Sequence, residues 1–192
     1  MSNATTQIRQ EKRELRGRIY QCQKELPETF YKEADAFLQE RLMNHSKFKM
    51  AKTVLSYWSM PREAKTHDVN EEATKTKTIL LPVIRGDELL LKKFTGTENL
   101  RPEGKYNIME PVGEEFQAFE SIDLIVCPGV AFTALGDRCG HGKGYYDRLL
   151  AKIPNAYTLG YGYAFQRQSQ VPTDHFDKKL DEVLFSPVTK TQ

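Results

Sequence analysis

The residues best suited to chemistry lie in one glycine-rich stretch, residues 138–148. Within it Gly140, Gly142 and Gly144 alternate with other residues and come directly before a segment of helical composition. Because glycine has no Cβ atom, such a stretch can turn backbone N–H groups toward an anion, and the N-terminus of the following helix adds partial positive charge. Lys143 would add a full charge. The stretch therefore predicts a phosphate site.

Two familiar glycine motifs do not fit this stretch. A P-loop requires Ser or Thr after its lysine, but Lys143 is followed by Gly144. The dinucleotide fingerprint GxGxxG requires a final glycine where this chain has Tyr145. A flexible surface turn is the plain alternative, since glycine is the default residue of turns.

The residues around the glycines favour a nucleotide site over a plain turn. Tyr145 and Tyr146 offer aromatic faces, Asp147 offers a hard oxygen ligand for Mg²⁺, and Arg138 and Arg148 offer charge for phosphates. Each of them alone also fits a structural role in a core or a first helical turn. Together they predict an enzyme that uses ATP.

Length and composition narrow the class of protein. A chain of 192 residues is expected to form one compact domain spanning residues 1–192. The 28 basic and 26 acidic side chains leave a net charge of +2, too small an excess for nucleic-acid binding. The three cysteines have no CxxC spacing, and no run is apolar enough for a signal or a membrane span. We expect a cytoplasmic monomer without membrane contact.

Hydrophobic spacing predicts the elements that position the glycine-rich stretch. Two amphipathic helices are expected before residue 50, the first capped by Thr6 and ended by Pro27. Segments of helical composition are residues 68–77 and 145–152, and residues 95–113 read as an irregular loop because of Pro102 and Pro111. Six strands are expected at residues 54–58, 79–84, 89–94, 124–127, 157–161 and 183–185. The alternation predicts an α/β fold, a mostly parallel central sheet layered with helices.

Four motifs in this order resemble the 5-formyltetrahydrofolate cyclo-ligase family, also called 5,10-methenyltetrahydrofolate synthetases. They are KRELR near the N-terminus, PGVAF, the glycine-rich GKGYYDR, and LDEVLF near the end, and they span Lys12 to Phe185. The resemblance implies an α/β enzyme that uses ATP and Mg²⁺ to close 5-formyltetrahydrofolate, mono- or polyglutamylated, into 5,10-methenyltetrahydrofolate. In that chemistry the formyl oxygen attacks the γ-phosphate, the neighbouring amine attacks the activated carbon, and phosphate departs.

The resemblance also implies site residues. Nucleotide binding is assigned to Lys12, Arg16, Arg138, Gly140, His141, Gly142, Lys143, Gly144, Tyr145 and Tyr146. Of these, Arg138, Lys143 and Tyr145 are the predicted catalytic residues. Asp147 and Asp181 match the metal-binding aspartates of the family. His141 lies where relatives often carry Arg or Tyr, so it is expected to retune a phosphate or folate contact.

On the substrate side, the stretch SMPREAKT resembles the family segment whose glutamate holds the pterin. That glutamate is Glu63, and the expected pocket is lined by Trp58, Met60 and Tyr145. Tyr106 stands where some relatives have tryptophan before Asn-Ile, so it is expected to stack on the folate.

Two other functions stay open at this point. A folate- or nucleotide-binding module of the same fold without turnover would bind ligand and release no ADP. A sugar-phosphate isomerase or acyl-CoA transferase would act without ATP, and the tyrosine pair followed by Asp147 counts against it.

Overall fold

The computed structural model describes residues 3–103 and 108–188, so the predicted contact of Tyr106 lies outside the described residues. The helices are α1 (Asn3–Glu25), α2 (Glu28–Asn44), α3 (Ser46–Met50), α4 (His67–Thr74) and α5 (Tyr145–Lys152). No helix in these two ranges is both long and apolar enough to cross a bilayer.

Ten strands form one large sheet and two small ribbons in the described ranges. They are β1 (Thr53–Leu55), β2 (Thr78–Arg85), β3 (Glu88–Phe94), β4 (Leu100–Glu103), β5 (Ile108–Pro111), β6 (Leu124–Cys127), β7 (Ala131–Phe132), β8 (Arg138–Cys139), β9 (Tyr157–Gly162) and β10 (Glu182–Phe185). The large sheet has the order β10-β9-β6-β1-β2-β3, and only β3 runs antiparallel to its neighbour. The predicted α/β fold with a mostly parallel sheet is confirmed.

The central strand β6 is apolar along its whole length because helices cover both faces of the sheet. On β6, Leu124 and Val126 face a core that includes α2 and α4, whereas Ile125 and Cys127 face the core of α5. All four side chains are fully buried. A continuous apolar run is the expected pattern of a parallel strand covered on two sides.

The two long N-terminal helices form as predicted, with one boundary corrected. The predicted cap at Thr6 is wrong, since α1 already begins at Asn3. Pro27 separates α1 from α2: it lies in an extended conformation at the N-cap of α2, where its missing N–H costs nothing. On α2, Leu38 and Leu42 lie on the face that packs against the sheet.

Residues 95–113 were expected to be irregular, and that expectation is wrong. β4 and β5 pair there in an antiparallel ribbon in which Pro102 lies opposite Met109 and Pro111 opposite Leu100. Proline is tolerated because both strands of a two-stranded ribbon are edges, so a missing N–H need not interrupt a ladder.

The glycine-rich stretch lies between a small ribbon and a helix. The loop after β6 leads into β7 and β8, whose pairing joins Ala131 to Cys139 and Phe132 to Arg138. The chain then passes through the glycines into α5, which begins at Tyr145 as predicted. At the tip of the ribbon, Gly136 has a φ of +96° and its backbone oxygen accepts a hydrogen bond from the Leu180 N–H at 2.9 Å.

Two glycines should respond in opposite ways to alanine. At Gly136 a Cβ atom would collide with the carbonyl oxygen of Leu180, and the positive φ disfavours any side chain, so Gly136→Ala should lower the free energy of unfolding by at least ~2 kcal/mol. Gly17 lies inside α1, and a Cβ atom there would point into open space. Gly17→Ala should therefore raise the free energy of unfolding by about 0.5–1 kcal/mol. Urea unfolding measures both, and equal effects would contradict this geometry.

Candidate active site

A buried ion pair closes the glycine-rich stretch at its base. The Arg138 Nη2 donates to Asp147 Oδ1 at 2.8 Å, and the Arg138 side chain is only 3% exposed. The guanidinium also donates to the Pro128 carbonyl at 3.4 Å and stacks over the ring of Tyr146 at 5.7 Å. The first residue of the stretch is thereby joined to the first turn of α5, and the glycines between them form a closed loop.

The loop has the backbone expected of an anion cradle. Gly142 and Gly144 have φ values of +100° and +66°, in the region that favours glycine. Gly144 is also the N-cap of α5, and no side chain caps that helix end. The first N–H groups of α5 are therefore available to an anion, as binding at a helix N-terminus requires.

One face of α1 packs against this loop. The Arg16 Nη1 donates to the Gly140 carbonyl at 3.3 Å and contacts Cys139 Sγ at 3.6 Å. A Cβ atom on Gly142 would approach the Arg16 guanidinium carbon to 3.4 Å, so a glycine lets the cation lie close to the loop. The structure thus brings Arg16 to the predicted phosphate site.

Lys12 lies one turn earlier on α1, but its charge is already engaged. Its Nζ bonds both carboxylate oxygens of Asp177, at 2.7 and 2.5 Å, and lies 3.5 Å from Asp174. Lys12 can therefore contact a phosphate only if these carboxylates share or release its ammonium group. Lys143, in contrast, makes no hydrogen bond or ion pair with residues 3–103 or 108–188, and it is exposed.

The two tyrosines of the motif face different neighbours. The Tyr145 hydroxyl donates to the Gly86 carbonyl at 3.1 Å, and Arg148 covers its ring at 5.4 Å. The Tyr146 hydroxyl is buried and has no hydrogen-bond partner in the described part of the chain. Burial raises the pKa of Tyr146 well above its ordinary value, and nearby Cys127 and Glu63 raise it further while Arg138 lowers it. Tyr146 is therefore a neutral O–H donor beside the loop.

Glu63 is held in place by the turn that contains it. Its Oε2 accepts the Met60 N–H at 2.9 Å, and its own N–H donates to the Met60 carbonyl at 3.0 Å. Arg62 inside the turn has a φ of +68° and exchanges hydrogen bonds with Gln23 of α1. A non-glycine residue in this region needs such support from its surroundings.

The second carboxylate oxygen of Glu63 faces the glycine-rich loop. Glu63 Oε1 lies 2.9 Å from His141 Nε2, and His141 Nδ1 lies 3.1 Å from the Tyr20 hydroxyl. The predicted folate carboxylate and the predicted phosphate loop are thus in direct contact.

The remaining predicted pocket residues belong to the segment that leads into this turn. Trp58 is half-buried and stacks on His67, with ring centroids 3.9 Å apart, and it also packs against Phe94. Burial lowers the pKa of His67, although its bond to the Ser59 carbonyl opposes this shift. Met60 is exposed beside Glu63.

The two predicted metal ligands make different contacts. Asp147 lies beside the glycines, where its Oδ1 also accepts the Lys178 N–H at 3.3 Å. Asp181 precedes β10, and its Oδ2 accepts both the N–H and the hydroxyl of Thr158 at 2.8 Å. With Asp123 and Tyr157 it lines a groove of about 420 Å³ at the amino-terminal ends of the strands. A metal site shared by Asp147 and Asp181 stays a prediction.

The sequence reasoning missed some residues of this site. Tyr20 follows Lys12 and Arg16 at intervals of four, so helical spacing alone places it on the same face. Asp174 and Asp177 gave no such signal, because only the tertiary fold brings them to α1. Cys127 lies in the core, where burial raises its pKa to about 12, so its thiol stays protonated at neutral pH.

Comparisons with known proteins agree with this geometry. The model of the 5-formyltetrahydrofolate cyclo-ligase family matches residues 3–186. The chain belongs to this family. The predicted family membership, and with it the prediction of a ligase-type enzyme, is confirmed.

Relatives from distant organisms match most of the chain. It is 28% identical over 196 residues to the mouse 5-formyltetrahydrofolate cyclo-ligase, covering 95% of this chain and 97% of that protein. A probable 5-formyltetrahydrofolate cyclo-ligase of Caenorhabditis elegans is 30% identical over 166 residues, covering 78% and 80%. The solution structure of Aquifex aeolicus 5,10-methenyltetrahydrofolate synthetase superposes with a TM-score of 0.80 at 33% identity, covering 91% of this chain and 89% of that one.

Removing the buried hydroxyl of Tyr146 should stabilise the fold. Because a buried polar group without a partner costs free energy, Tyr146→Phe should raise the free energy of unfolding by about 1 kcal/mol. Tyr161→Phe is the matched control, since the Tyr161 hydroxyl is also buried without a partner among the described residues. Only Tyr146 lies beside the loop, so only Tyr146→Phe should also lower turnover. A loss of stability in Tyr146→Phe would contradict this assignment.

The Arg138–Asp147 pair should dominate the stability of the loop base. Arg138→Met leaves Asp147 without a counter-charge in a partly buried position, so it should cost about 2–4 kcal/mol in urea unfolding. Adding Asp147→Leu to this variant should recover at least half of that loss, because no buried charge then remains. Lys152→Met, which breaks the exposed pair with Glu88, should change stability by less than ~1 kcal/mol. Additive losses in the double variant would refute the coupling.

Proposed function

We propose that this chain catalyses the ATP- and Mg²⁺-dependent closure of 5-formyltetrahydrofolate to 5,10-methenyltetrahydrofolate, with release of ADP and phosphate. Membership of the cyclo-ligase family supports the reaction. The single observation that carries the proposal is the contact between His141 and Glu63. It brings the predicted phosphate loop against the predicted folate carboxylate, as transfer of a phosphoryl group between two bound substrates requires.

The loop fits the phosphates of a nucleotide. Uncapped N–H groups at the start of α5 and the open backbone at Gly142 and Gly144 suit anionic oxygens. The Arg138 Nε is buried without a partner among the described residues, and Lys143 is exposed without an ion pair in the same part of the chain. We assign the phosphates to these groups, with Arg16 beside them.

The donor set for Mg²⁺ is smaller than the sequence implied. When bound, the ion would neutralise negative charge on the phosphates. Asp147 fits as one carboxylate ligand because it lies at the loop, and Mg²⁺ bound to phosphates commonly needs only one or two carboxylates. Asp181 is left out of this set because it lines the groove at the amino-terminal ends of the strands, together with Asp123 and Tyr157.

The chemistry follows from where positive charge and O–H donors lie. The formyl oxygen takes the γ-phosphoryl group and ADP leaves. The neighbouring amine then attacks the formyl carbon and loses its proton to solvent, the bond to the phosphorylated oxygen breaks, and phosphate leaves. Lys143 and Arg138 offset the charge on the migrating phosphoryl group, a role in which fixed cations supply much of the rate. Tyr146 stays protonated and can donate a hydrogen bond to an oxygen in the site. The Glu63 carboxylate holds the pterin by accepting hydrogen bonds from the amide and amino groups of the pterin ring.

Lys143 offers the cleanest test of the phosphate loop. Because it makes no hydrogen bond or ion pair with the described residues, Lys143→Ala should leave stability unchanged while lowering kcat/KM by about 100-fold. The measurement is the near-ultraviolet absorbance of the methenyl product from 5-formyltetrahydrofolate and Mg·ATP. Lys75→Ala, at the end of α4 that leads into β2, is the matched control and should keep full activity.

Two results of this assay would reject the proposal. Ligand binding by well-folded protein without product or ADP release would support the binding module of the same fold. Product formation at full rate with ATP omitted would show that the loop does not serve phosphoryl transfer.

A further inference from the structure

His141 occupies an unusual position between the two halves of the proposed site. It is the residue between Gly140 and Gly142, at the exposed side of the loop, yet its ring bonds a largely buried carboxylate of the neighbouring turn. The Glu63 side chain is 14% exposed and the His141 side chain 42% exposed. The contact therefore joins an exposed ring to a carboxylate that has little solvent exposure of its own.

The two oxygens of Glu63 are both engaged in this state. Oε2 accepts the Met60 N–H, which belongs to the same turn and stays with it, whereas Oε1 bonds to the ring of His141. A ligand that presents two adjacent N–H donors needs both oxygens of a carboxylate. It must then displace His141 from Oε1 or share that oxygen with it.

The strength of this contact depends on the charge of the ring. Since Nε2 faces a carboxylate, it carries a proton in either state, and Nδ1 then accepts from the Tyr20 hydroxyl when the ring is neutral. In the protonated ring Nδ1 becomes a donor to the same hydroxyl oxygen. Both states fit the geometry, but only the protonated ring forms an ion pair with Glu63.

We propose that His141 is a pH-dependent competitor of the folate for Glu63, so that protonation of His141 closes the pterin site and deprotonation opens it. This inference rests on the proposed function, because it takes Glu63 as the pterin carboxylate. It makes His141 a specificity-determining residue rather than a catalytic one.

The charged and titratable groups around the ring favour this assignment. From the turn after β1 the ring meets Glu63, and from α1 it meets Tyr20. Arg16, also on α1, lies beside the neighbouring Gly142. Burial raises the pKa of Tyr20, with Arg16 acting against that shift and Cys139 and Glu63 adding to it, so its phenol stays neutral. Lys143 follows two residues later and is exposed. Glu63 is therefore the group whose attraction changes most when the ring gains a proton.

The first experiment measures binding without turnover. Isothermal titration of 5-formyltetrahydrofolate into the protein, without ATP, is carried out between about pH 6 and pH 8, the range in which histidine titrates. The wild-type affinity should rise by about three- to five-fold across this range, the size expected for a partly exposed ion pair. His141→Gln keeps an amide donor but does not titrate, so its affinity should be independent of pH, and His141→Ala should also be independent of pH. His175→Gln, outside this contact, should keep the wild-type slope.

The second experiment observes the pair itself. Heteronuclear NMR of the whole chain follows the His141 ring nitrogens, and the Nε2 signal should change in Glu63→Gln because Nε2 loses its carboxylate partner. Identical His141 ring signals in wild-type protein and Glu63→Gln would overturn the inference. Superimposable pH dependence of folate affinity in wild-type protein and His141→Gln would overturn it as well.

The outcomes also separate this inference from the proposed function. Intact folate binding without the His141-dependent slope contradicts the inference alone. A different result would be that neither the wild-type protein nor any variant binds folate at any pH, although NMR shows the His141–Glu63 pair. That result contradicts the proposed function and the inference with it.

Discussion

The buried ion pair between Arg138 and Asp147 is the constraint on which the site depends. A guanidinium that is 3% exposed must have a counter-charge, because an unpaired buried charge costs several kcal/mol, on the order of 3–5. The partner comes from the first turn of α5, nine residues later in the chain. The chain between the two partners must therefore close on itself, and glycines are the residues that make the left-handed turns at 142 and 144 without strain. The backbone that suits phosphate follows from this closure.

A second set of charged contacts holds α1 against the same loop. Asp177 bonds Lys12 of α1, while the adjacent Lys178 N–H donates to Asp147 of α5. The segment around residue 177 thus links the two helices that flank the glycines. Cations that are held in place before a ligand arrives cost no reorganisation during the reaction, which is how electrostatic catalysis gains its effect. Lys143 differs from them because it has no ion pair in the described part of the chain, and for this reason the proposed mechanism assigns it to the moving phosphoryl group.

The sequence predicted those elements whose local residue pattern is enough to determine a strand or a helix. Six apolar runs correspond to the strands of the large sheet, and the composition of residues 145–152 placed α5 at its observed bounds. It was less informative where tertiary pairing decides. The strands β7 and β8 have two residues each, too few for a periodic signal, and the ribbon of β4 and β5 contains two prolines that local propensity disfavours.

The site residues show the same difference between what a local pattern predicts and what tertiary contacts decide. The motif identified the loop, and the helical spacing of Lys12 and Arg16 placed both on the face that meets it. Asp181 was assigned to the metal by motif resemblance alone, but a strand start fixes it beside Thr158. The His141–Glu63 contact joins residues 78 positions apart, and no local pattern encodes such a pair.

The central claim, that the glycine-rich loop binds phosphates, is tested most directly by amide NMR of the labelled protein during titration with a non-hydrolysable Mg·ATP analogue. This account predicts that the amide signals of Gly140, Gly142 and Gly144 shift with the titration while those of Tyr157 and Asp181, at the amino-terminal edge of the sheet, stay in place. Shifts confined to Tyr157 and Asp181, with the loop glycines unchanged, would contradict it.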